Sequence, residues 1–248
     1  MSDSFASASF AASTVPATPA TGRVLLITGA SSGIGAATAR HAVAAGWRVV
    51  LGARSLDKLE ALAADLGGSE HAVAQTCDVT AWEDQQRLVA AAHSAFGRLD
   101  AVFANAGFGA KRGFLEASPD EWREMLLTNV HGCALTIRAA LPDLLKSRGH
   151  VLLTSSTAGR RVLAGSMYSV TKHAVTAMGE ALRQEVTDQG VRVTLIEPGM
   201  TDTPFFDDGT PTWALTADDI ARATLFALSQ PSHVTVAELL VRPTGQVS

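Results

Sequence analysis

A tyrosine and a lysine stand at a spacing that could support proton transfer. Tyr168 is the only tyrosine of the chain, and Lys172 follows it by four residues within a helical pattern. Side chains at i and i+4 share one face of a helix. A free phenol has a pKa of about 10, too high for an efficient base at neutral pH, and a nearby ammonium would lower it. Alone, such a pair is often only helix surface, but a strand ending in TSS at 154–156 precedes it.

A glycine-rich turn near the N-terminus could bind phosphate. Residues 28–35 read TGASSGIG and lie between a short apolar run and a helical stretch. Glycines let the backbone approach a pyrophosphate, and the helix N-terminus supplies free N–H groups. A glycine turn without a ligand is the alternative, but this position between strand and helix favours a dinucleotide. The predicted contacts are Gly29, Ser31, Ser32, Gly33, Ile34 and Gly35.

The end of the second apolar run bears on which dinucleotide binds. Folds that select NAD usually carry an acidic residue there, which binds the ribose 2′-hydroxyl. Here residues 52–55 read GARS, and the first carboxylate is Asp57. Arg54 could bind a 2′-phosphate through charge-assisted hydrogen bonds of roughly 1.5–3 kcal/mol each. A solvated surface arginine is the alternative, and we predict NADP(H).

These residues lie on alternating strands and helices. Strands are predicted at 23–28, 48–52, 71–77, 99–104, 150–154, 191–196 and 234–241, and helices at 33–45, 56–66, 82–96, 121–146, 166–189 and 217–228. Near-continuous runs of Val, Ile and Leu are typical of strands buried on both faces. Alternation with helices implies right-handed crossovers. We predict an α/β fold of Rossmann type, with a doubly wound parallel sheet in three α/β/α layers and a single domain.

Composition limits the class of protein. The 248 residues are 47% hydrophobic and carry a formal net charge of −4, which gives no reason to expect nucleic acid or an anionic membrane as partner. No apolar run approaches the roughly 18 residues of a membrane span. Cys77 and Cys133 imply no disulfide framework, and no ligand spacing suggests a metal. We expect a soluble, cytoplasmic protein. Residues 1–22 lack the features of a targeting peptide and predict a flexible extension before an NADP(H)-binding domain at 23–248.

Several motifs between residues 23 and 199 resemble those of short-chain dehydrogenases/reductases, in the order and spacing usual for that family. They are TGASSGIG at 28–35, CDV at 77–79, NAG at 105–107, TNVHG at 128–132, GHVLLTSS at 149–156, YSVTK at 168–172, and PG at 198–199. Ala104 and Thr201 depart from the commoner Asn and Val. One such motif would be weak evidence for the family, whereas seven in order are specific. The tail at 233–246 resembles the subgroup that holds NADP-dependent 3-hydroxy-acid (serine-type) and clavulanic acid dehydrogenases.

The resemblance implies a role for each catalytic candidate. Tyr168 would donate the proton in reduction and accept it in oxidation, and Lys172 would lower its pKa and hold the nicotinamide ribose. Asn129 would anchor a water that links Lys172 to solvent. A serine would hydrogen-bond the substrate oxygen. The strand motif points to Ser156 and the usual interval to the tyrosine points to Ser155, and we favour Ser156 because a loop absorbs a deletion better than a strand.

The resemblance also implies further cofactor contacts. The CDV step would contact the adenine, and the segment after the PG motif would close over the nicotinamide. With Tyr168 and Lys172, the predicted contacts are Arg54, Asp78, Val79, Asn105, Ala106, Gly107, Pro198, Gly199, Thr201 and Thr203.

The substrate is less constrained by the sequence. Phe205, Phe206 and Trp213 could cover a small apolar pocket or only pack against the sheet edge. Four basic residues in nearby loops could form a mouth for a carboxylate or be merely solvated: Lys111, Arg112, Arg160 and Arg161. We predict an NADP(H)-dependent oxidoreductase that interconverts a small alcohol and a ketone or aldehyde, as a homo-oligomer (dimer or tetramer). The alternatives are a broad carbonyl reductase without carboxylate preference and a non-catalytic NADP(H)-binding sensor.

Overall fold

The computed structural model describes residues 22–206 and 209–246. The extension predicted over residues 1–22 lies outside them, apart from Gly22. The strands are β1 Val24–Thr28, β2 Arg48–Ala53, β3 Ala72–Thr76, β4 Ala101–Ala104, β5 His150–Thr154, β6 Arg192–Pro198, β7 Thr201–Asp202, β8 Leu215–Thr216 and β9 Glu238–Val241. The helices are α1 Gly33–Ala44, α2 Leu56–Asp65, α3 Trp82–Phe96, α4 Pro119–Leu126, α5 Cys133–Ser147, α6 Met167–Val186 and α7 Ala217–Ser229. A π-helical segment, Leu127–Gly132, joins α4 to α5, and short 3-10 turns lie at Gly68–Glu70, Thr157–Gly159 and Thr187–Gln189.

Seven of these strands form one parallel sheet in the order β3-β2-β1-β4-β5-β6-β9. The chain builds outward from β1 to β3 and then returns to place β4 on the other side of β1. Ligands of such sheets bind outside the carboxyl ends of the strands, where the strand order reverses. The predicted doubly wound parallel sheet is confirmed. The turn after β1 and the loop after β4 lie at this reversal.

The sheet is buried on both faces, which explains the continuous apolar runs of its strands. Neighbouring residues of a strand point to opposite faces. Val24 and Leu26 of β1 accordingly belong to the core with α3, α5 and α6, whereas Leu25 and Ile27 belong to the core with α1, α2 and α7. The three-layer architecture follows from this division. Among the described residues, no helix is long and apolar enough to cross a membrane.

Two elements differ most from their predicted extents. The helix predicted over 121–146 is interrupted by the π-helical segment, which a periodic pattern of apolar residues does not reveal. The last strand begins at Glu238 instead of residue 234. Side chains of β6 bind the chain that leads into β9. Arg192 donates to the Val234 carbonyl at 3.4 Å, and Thr194 donates to the Val236 carbonyl at 2.7 Å.

Candidate active site

The turn after β1 has a shape that only glycine permits. Gly29 and Gly33 have φ values of 67° and 51°, in the left-handed region that L side chains rarely adopt. A Cβ at Gly29 would lie 2.9 Å from the Cα of Ala106, and one at Gly35 would collide with the Gly29 carbonyl. Ser32 is the N-cap residue of α1 and makes no side-chain capping bond, so the first-turn N–H groups stay free for an anion. Ser31 and Ile34 complete this turn.

The loop after β4 is fixed by Asn105. Its side-chain nitrogen donates to the Thr28 carbonyl at 3.1 Å, and its side-chain oxygen accepts from the Thr154 hydroxyl at 3.0 Å. One amide therefore joins the ends of three neighbouring strands. The Ala106 N–H donates to the Thr28 hydroxyl at 3.2 Å, which holds residues 105–107 beside the glycine turn.

Asn129 lies in the π-helical segment and uses its whole side-chain amide within the protein. Its oxygen accepts from the Phe108 N–H at 3.0 Å, and its nitrogen donates to the Phe108 carbonyl at 2.8 Å and to the Thr171 hydroxyl at 3.2 Å. A Cβ at Gly107 would lie 3.1 Å from the Asn129 oxygen and 3.8 Å from the Lys172 nitrogen. Gly107 therefore permits the close approach of the predicted asparagine and lysine.

Lys172 is buried, with 4% of its surface exposed, and its ammonium donates to the Thr154 carbonyl at 2.6 Å. The nitrogen also lies 5.5 Å from the centre of the Tyr168 ring. Burial lowers the pKa of Lys172 to about 8. The side chain therefore stays mostly charged at neutral pH and is held between the end of β5 and the phenol.

Tyr168 lies beside Ser156, whereas Ser155 points away. The sequence predicts that Lys172 lowers the pKa of Tyr168, but burial raises that pKa to about 12, opposed only by a side-chain hydrogen bond with Ser156. The Ser156 hydroxyl also lies 3.3 Å from the Pro198 carbonyl. Ser155 is fully buried, with its hydroxyl donating to the Lys172 carbonyl at 3.2 Å and 2.7 Å from the Thr176 hydroxyl. Of the two serines, only Ser156 faces the phenol.

Arg54 and Asp78 lie together at the edge formed by the ends of β2 and β3. Arg54 is exposed. The backbone and hydroxyl of Thr80 donate to the Asp78 carboxylate at 2.9 and 2.8 Å. The backbone bond from Thr80 chiefly lowers the pKa of Asp78, and the charge of Arg54 adds to that effect. Val79 is buried, and its methyl group would lie 2.7 Å from a Cβ at Gly132.

The segment after β6 returns to the glycine turn. The Gly199 N–H donates to the Val241 carbonyl at 2.7 Å, which ties the PG motif (Pro198-Gly199) to β9. Thr201 is buried and donates to the Gly199 carbonyl at 3.1 Å. The side chain of Thr203 would lie 3.2 Å from a Cβ at Gly33. The predicted site residues are thus gathered along the carboxyl edge of the sheet, with Arg54 and Asp78 at one end and Ser156 and Tyr168 towards the other.

Comparison with known proteins identifies the family. Residues 23–212 match the family model described as short chain dehydrogenase. The chain belongs to the short-chain dehydrogenase family. It is accordingly an oxidoreductase with a Rossmann-type nucleotide-binding fold, as predicted. The subgroup likeness of residues 233–246 stays a prediction.

Relatives of this short-chain dehydrogenase align over nearly their whole length. An uncharacterized oxidoreductase of Staphylococcus aureus is 40% identical over 227 residues, which cover 90% of this chain and 98% of that protein. An alcohol dehydrogenase from the archaeon Thermococcus sibiricus, complexed with 5-hydroxy-NADP, is 34% identical with a TM-score of 0.84 and covers 90% and 97% of the two chains. A 3-ketoacyl-(acyl-carrier-protein) reductase from Brucella melitensis, complexed with NADH, is 30% identical with a TM-score of 0.82 and covers 90% and 98%.

Sequence reasoning missed several contacts of this dehydrogenase site. The backbone of Phe108 and the carbonyl of Thr154 hold Asn129 and Lys172, but main-chain groups leave no signal in residue types. Arg160, one of the four residues of the predicted basic mouth, is bound to two carboxylates. It donates to Glu197 at 2.8 Å and pairs with Glu238. The sequence signal for that pairing is Glu197, a single carboxylate on a buried strand, which needs a cation as partner.

Proposed function

We propose that this short-chain dehydrogenase transfers a hydride between NADP(H) and a small alcohol, ketone or aldehyde. The observation that carries the proposal is that the Ser156 side chain faces the Tyr168 hydroxyl, next to the buried ammonium of Lys172. Two hydroxyl groups that meet at one point can both donate to a single carbonyl oxygen. A sensor that only binds the cofactor needs no such pair.

In reduction, Tyr168 gives its proton to the substrate oxygen while the carbonyl carbon accepts the hydride. A pKa of about 12 keeps the phenol protonated at neutral pH, as a proton donor requires. Ser156 donates a hydrogen bond to the oxygen as negative charge develops there. In oxidation, the phenolate takes the alcohol proton and the carbon loses the hydride. When bound, NADPH would supply the hydride, and the positive nicotinamide ring of the oxidised cofactor would favour the phenolate.

Lys172 and Asn129 support the phenol from behind. The charge of Lys172 stabilises the phenolate left after proton transfer, and its bond to the Thr154 carbonyl fixes its position. The amide of Asn129 is engaged by Phe108 and Thr171. That Asn129 anchors a water linking Lys172 to solvent stays part of this proposal.

The choice of NADP(H) rests on the edge at β2. The glycine turn fits a dinucleotide, because Cβ atoms at Gly29 and Gly35 would fill the space beside the backbone. Arg54 is exposed there and makes no ion pair within 4 Å with any residue that the structure describes, so its guanidinium is available to a 2′-phosphate. Asp78 lies within electrostatic reach of Arg54 and would orient it. We also propose that the other residues predicted to contact the cofactor do so, from the NAG loop (residues 105–107) to Thr203.

The proposed function is tested by Tyr168→Phe. The variant should bind NADPH with unchanged affinity, because the phenyl ring still fills the site, and lose roughly 10²–10⁴-fold in turnover with the acid–base hydroxyl. Binding is followed by nucleotide fluorescence and turnover by NADPH absorbance over a panel of ketones and aldehydes. Turnover within a few-fold of the wild-type value would contradict the assignment of Tyr168.

We also propose a homo-oligomer. An apolar groove on the outer face of α3, α5 and α6 includes Arg138 and Glu185 among its lining residues. A two-fold interface presents the same patch twice, so these opposite charges could meet across it. The cytoplasmic location stays a prediction.

A further inference from the structure

Phe205 occupies the approach to the phenol. Its ring centre lies 5.4 Å from that of Tyr168, with a 60° angle between the planes. On its other side, a Cβ at Gly109 would lie 3.0 Å from the tip of the Phe205 ring. The ring of Phe206 packs edge-on against it at 5.0 Å. Phe205 is 38% exposed, so part of a ring that packs on Tyr168 is open to a ligand.

The short segment that carries Phe205 is anchored at the glycine turn. Thr203 packs against Gly33, and its carbonyl accepts from the Phe206 N–H at 3.2 Å. Trp213, further along the same connection, packs on Gly245 instead, where a Cβ would lie 3.0 Å from the indole. Phe205 is therefore the aromatic residue of this connection that meets Tyr168, and Trp213 is a natural control for it.

Arg160, the first cation after Ser156 in the chain, is already paired. Arg160 follows the short turn after Ser156, but its guanidinium contacts Glu197, which is 1% exposed, and Glu238. The ammonium of Lys172 is buried and donates to a carbonyl. Lys111, Arg112 and Arg161 are exposed to solvent. A carboxylate beside Phe205 would lose hydration without gaining a fixed partner, and burying an unpaired charge is costly.

We propose that Phe205 is a specificity-determining residue that selects uncharged carbonyl compounds with an apolar substituent and disfavours oxo acids. The inference rests on the proposed function, since it concerns substrates of the same phenol. The apolar substituent packs on the exposed face of the Phe205 ring while the carbonyl oxygen meets Tyr168 and Ser156. Gly109 supports this role of Phe205, because any side chain at position 109 would displace the Phe205 ring.

The first test compares esters with the acids that share their carbon skeleton. The pairs are methyl benzoylformate with benzoylformate and methyl acetoacetate with acetoacetate, each reduced with NADPH. We expect kcat/KM for the ester to exceed that for the acid at least 100-fold. Phe205→Ala should lower the ester value at least 10-fold and leave the acid value within 2-fold, so the ratio falls. Intrinsic reactivity of the carbonyl cancels when one ratio is compared between two variants.

Further variants separate specificity from folding. Phe205→Leu keeps an apolar contact and should give an intermediate ratio, whereas Trp213→Ala should leave the ratio unchanged. Gly109→Ala should lower ester kcat/KM about 10-fold in the wild type and less than 2-fold in the Phe205→Ala background, because the competing ring is gone. NADPH binding by fluorescence should be unchanged in every variant and shows that each is folded.

The outcomes distinguish this inference from the proposed function. Acids reduced as well as esters, in a reaction that Tyr168→Phe abolishes, would overturn the role of Phe205 and leave the proposed function standing. An ester-to-acid ratio that is the same in wild type and Phe205→Ala would also overturn it. Absence of NADPH oxidation with either pair, or activity that survives Tyr168→Phe, would overturn the proposed function and this inference with it.

Discussion

Ser155 and Ser156 are neighbours at the end of β5, and their hydroxyl groups point to different partners. Adjacent residues of an extended chain face opposite ways. Ser155 bonds to α6 through the Lys172 carbonyl and Thr176, and Ser156 bonds with Tyr168. From the sequence alone, the strand motif favours Ser156 and the usual spacing to the tyrosine favours Ser155. Only the hydrogen bonds assign each hydroxyl to a side, and the catalytic role of Ser156 stays a prediction.

Ser156→Ala should reduce kcat roughly 10²-fold or more, because the developing alkoxide loses a donor. Ser155→Ala should keep kcat within a few-fold but lose about 1–3 kcal/mol of unfolding free energy, since its partners in α6 stay buried. Steady-state NADPH oxidation and urea denaturation measure the two effects. A crippled Ser155→Ala enzyme beside a normal Ser156→Ala enzyme would reverse the assignment.

Arg54→Asp should invert the cofactor preference. The change removes the partner of the 2′-phosphate and supplies a carboxylate that suits a free ribose hydroxyl. Each lost charge-assisted bond is worth roughly 1.5–3 kcal/mol, or about 10–100-fold in affinity. The ratio of kcat/KM for NADPH to that for NADH is the readout. The control is Arg40→Asp, which makes the same charge change at an exposed position of α1. Equal ratios in the two variants would show that Arg54 does not determine the cofactor preference.

At the scale of whole elements, the sequence predicts which segments form but not where they are interrupted. The buried strands and helices follow from apolar runs and their periodicity. The π-helical segment does not, because the apolar periodicity continues from α4 into α5. It places Asn129 against Phe108, and Gly132 lies so close to Val79 that a side chain would not fit. Segments of this kind are frequent at functional sites.

Arg160 links three elements at the site. It leaves the short turn after β5 and reaches Glu197 at the end of β6 and Glu238 at the start of β9. Burial raises the pKa of Glu197, and the bond to Arg160 opposes that rise. The pair therefore holds the turn that carries Ser156 against the strand that leads to Pro198.

Arg160→Met should destabilise the fold by about 1–3 kcal/mol at pH 8, because Glu197 is left buried without its partner. Loss of the cation raises the folded-state pKa of Glu197 further above its unfolded value. A carboxyl group whose pKa is raised in the folded state destabilises the fold once the pH exceeds its unfolded pKa. The difference in unfolding free energy between wild type and Arg160→Met should therefore shrink towards pH 5, where Glu197 is protonated. Urea denaturation from pH 5 to 8 measures this change. Arg160→Met/Glu197→Gln should recover most of the loss at pH 8, and a deficit independent of pH would show that the pair is not its cause.

At the scale of the whole molecule, one face of the sheet carries an apolar groove between helices. Its lining comes from α3, α5 and α6, and the residue pattern of each helix alone does not reveal that the three form a joint surface. The lining residues are Trp82, Gln86, Val89, Ala90, His93, Ala134, Ile137, Arg138, Ala139, Leu141, Pro142, Leu145, Met178, Ala181, Leu182 and Glu185. Apolar patches of this kind commonly mark interaction sites. A second copy of the chain is the proposed occupant.

Ala181→Glu should shift the assembly to smaller species. Ala181 is exposed on α6 within the groove, so the charge would disturb an interface without disturbing the core. In a two-fold contact the same substitution enters twice, which doubles its effect. Light scattering after size-exclusion at micromolar concentration should find a wild-type dimer or tetramer and a smaller Ala181→Glu protein with unchanged Tm. Leu56→Glu, an exposed apolar position on α2, is the matched control and should keep the wild-type mass. A monomeric wild-type protein would refute the proposed oligomer, and an Ala181→Glu protein of wild-type mass would move its interface to another surface.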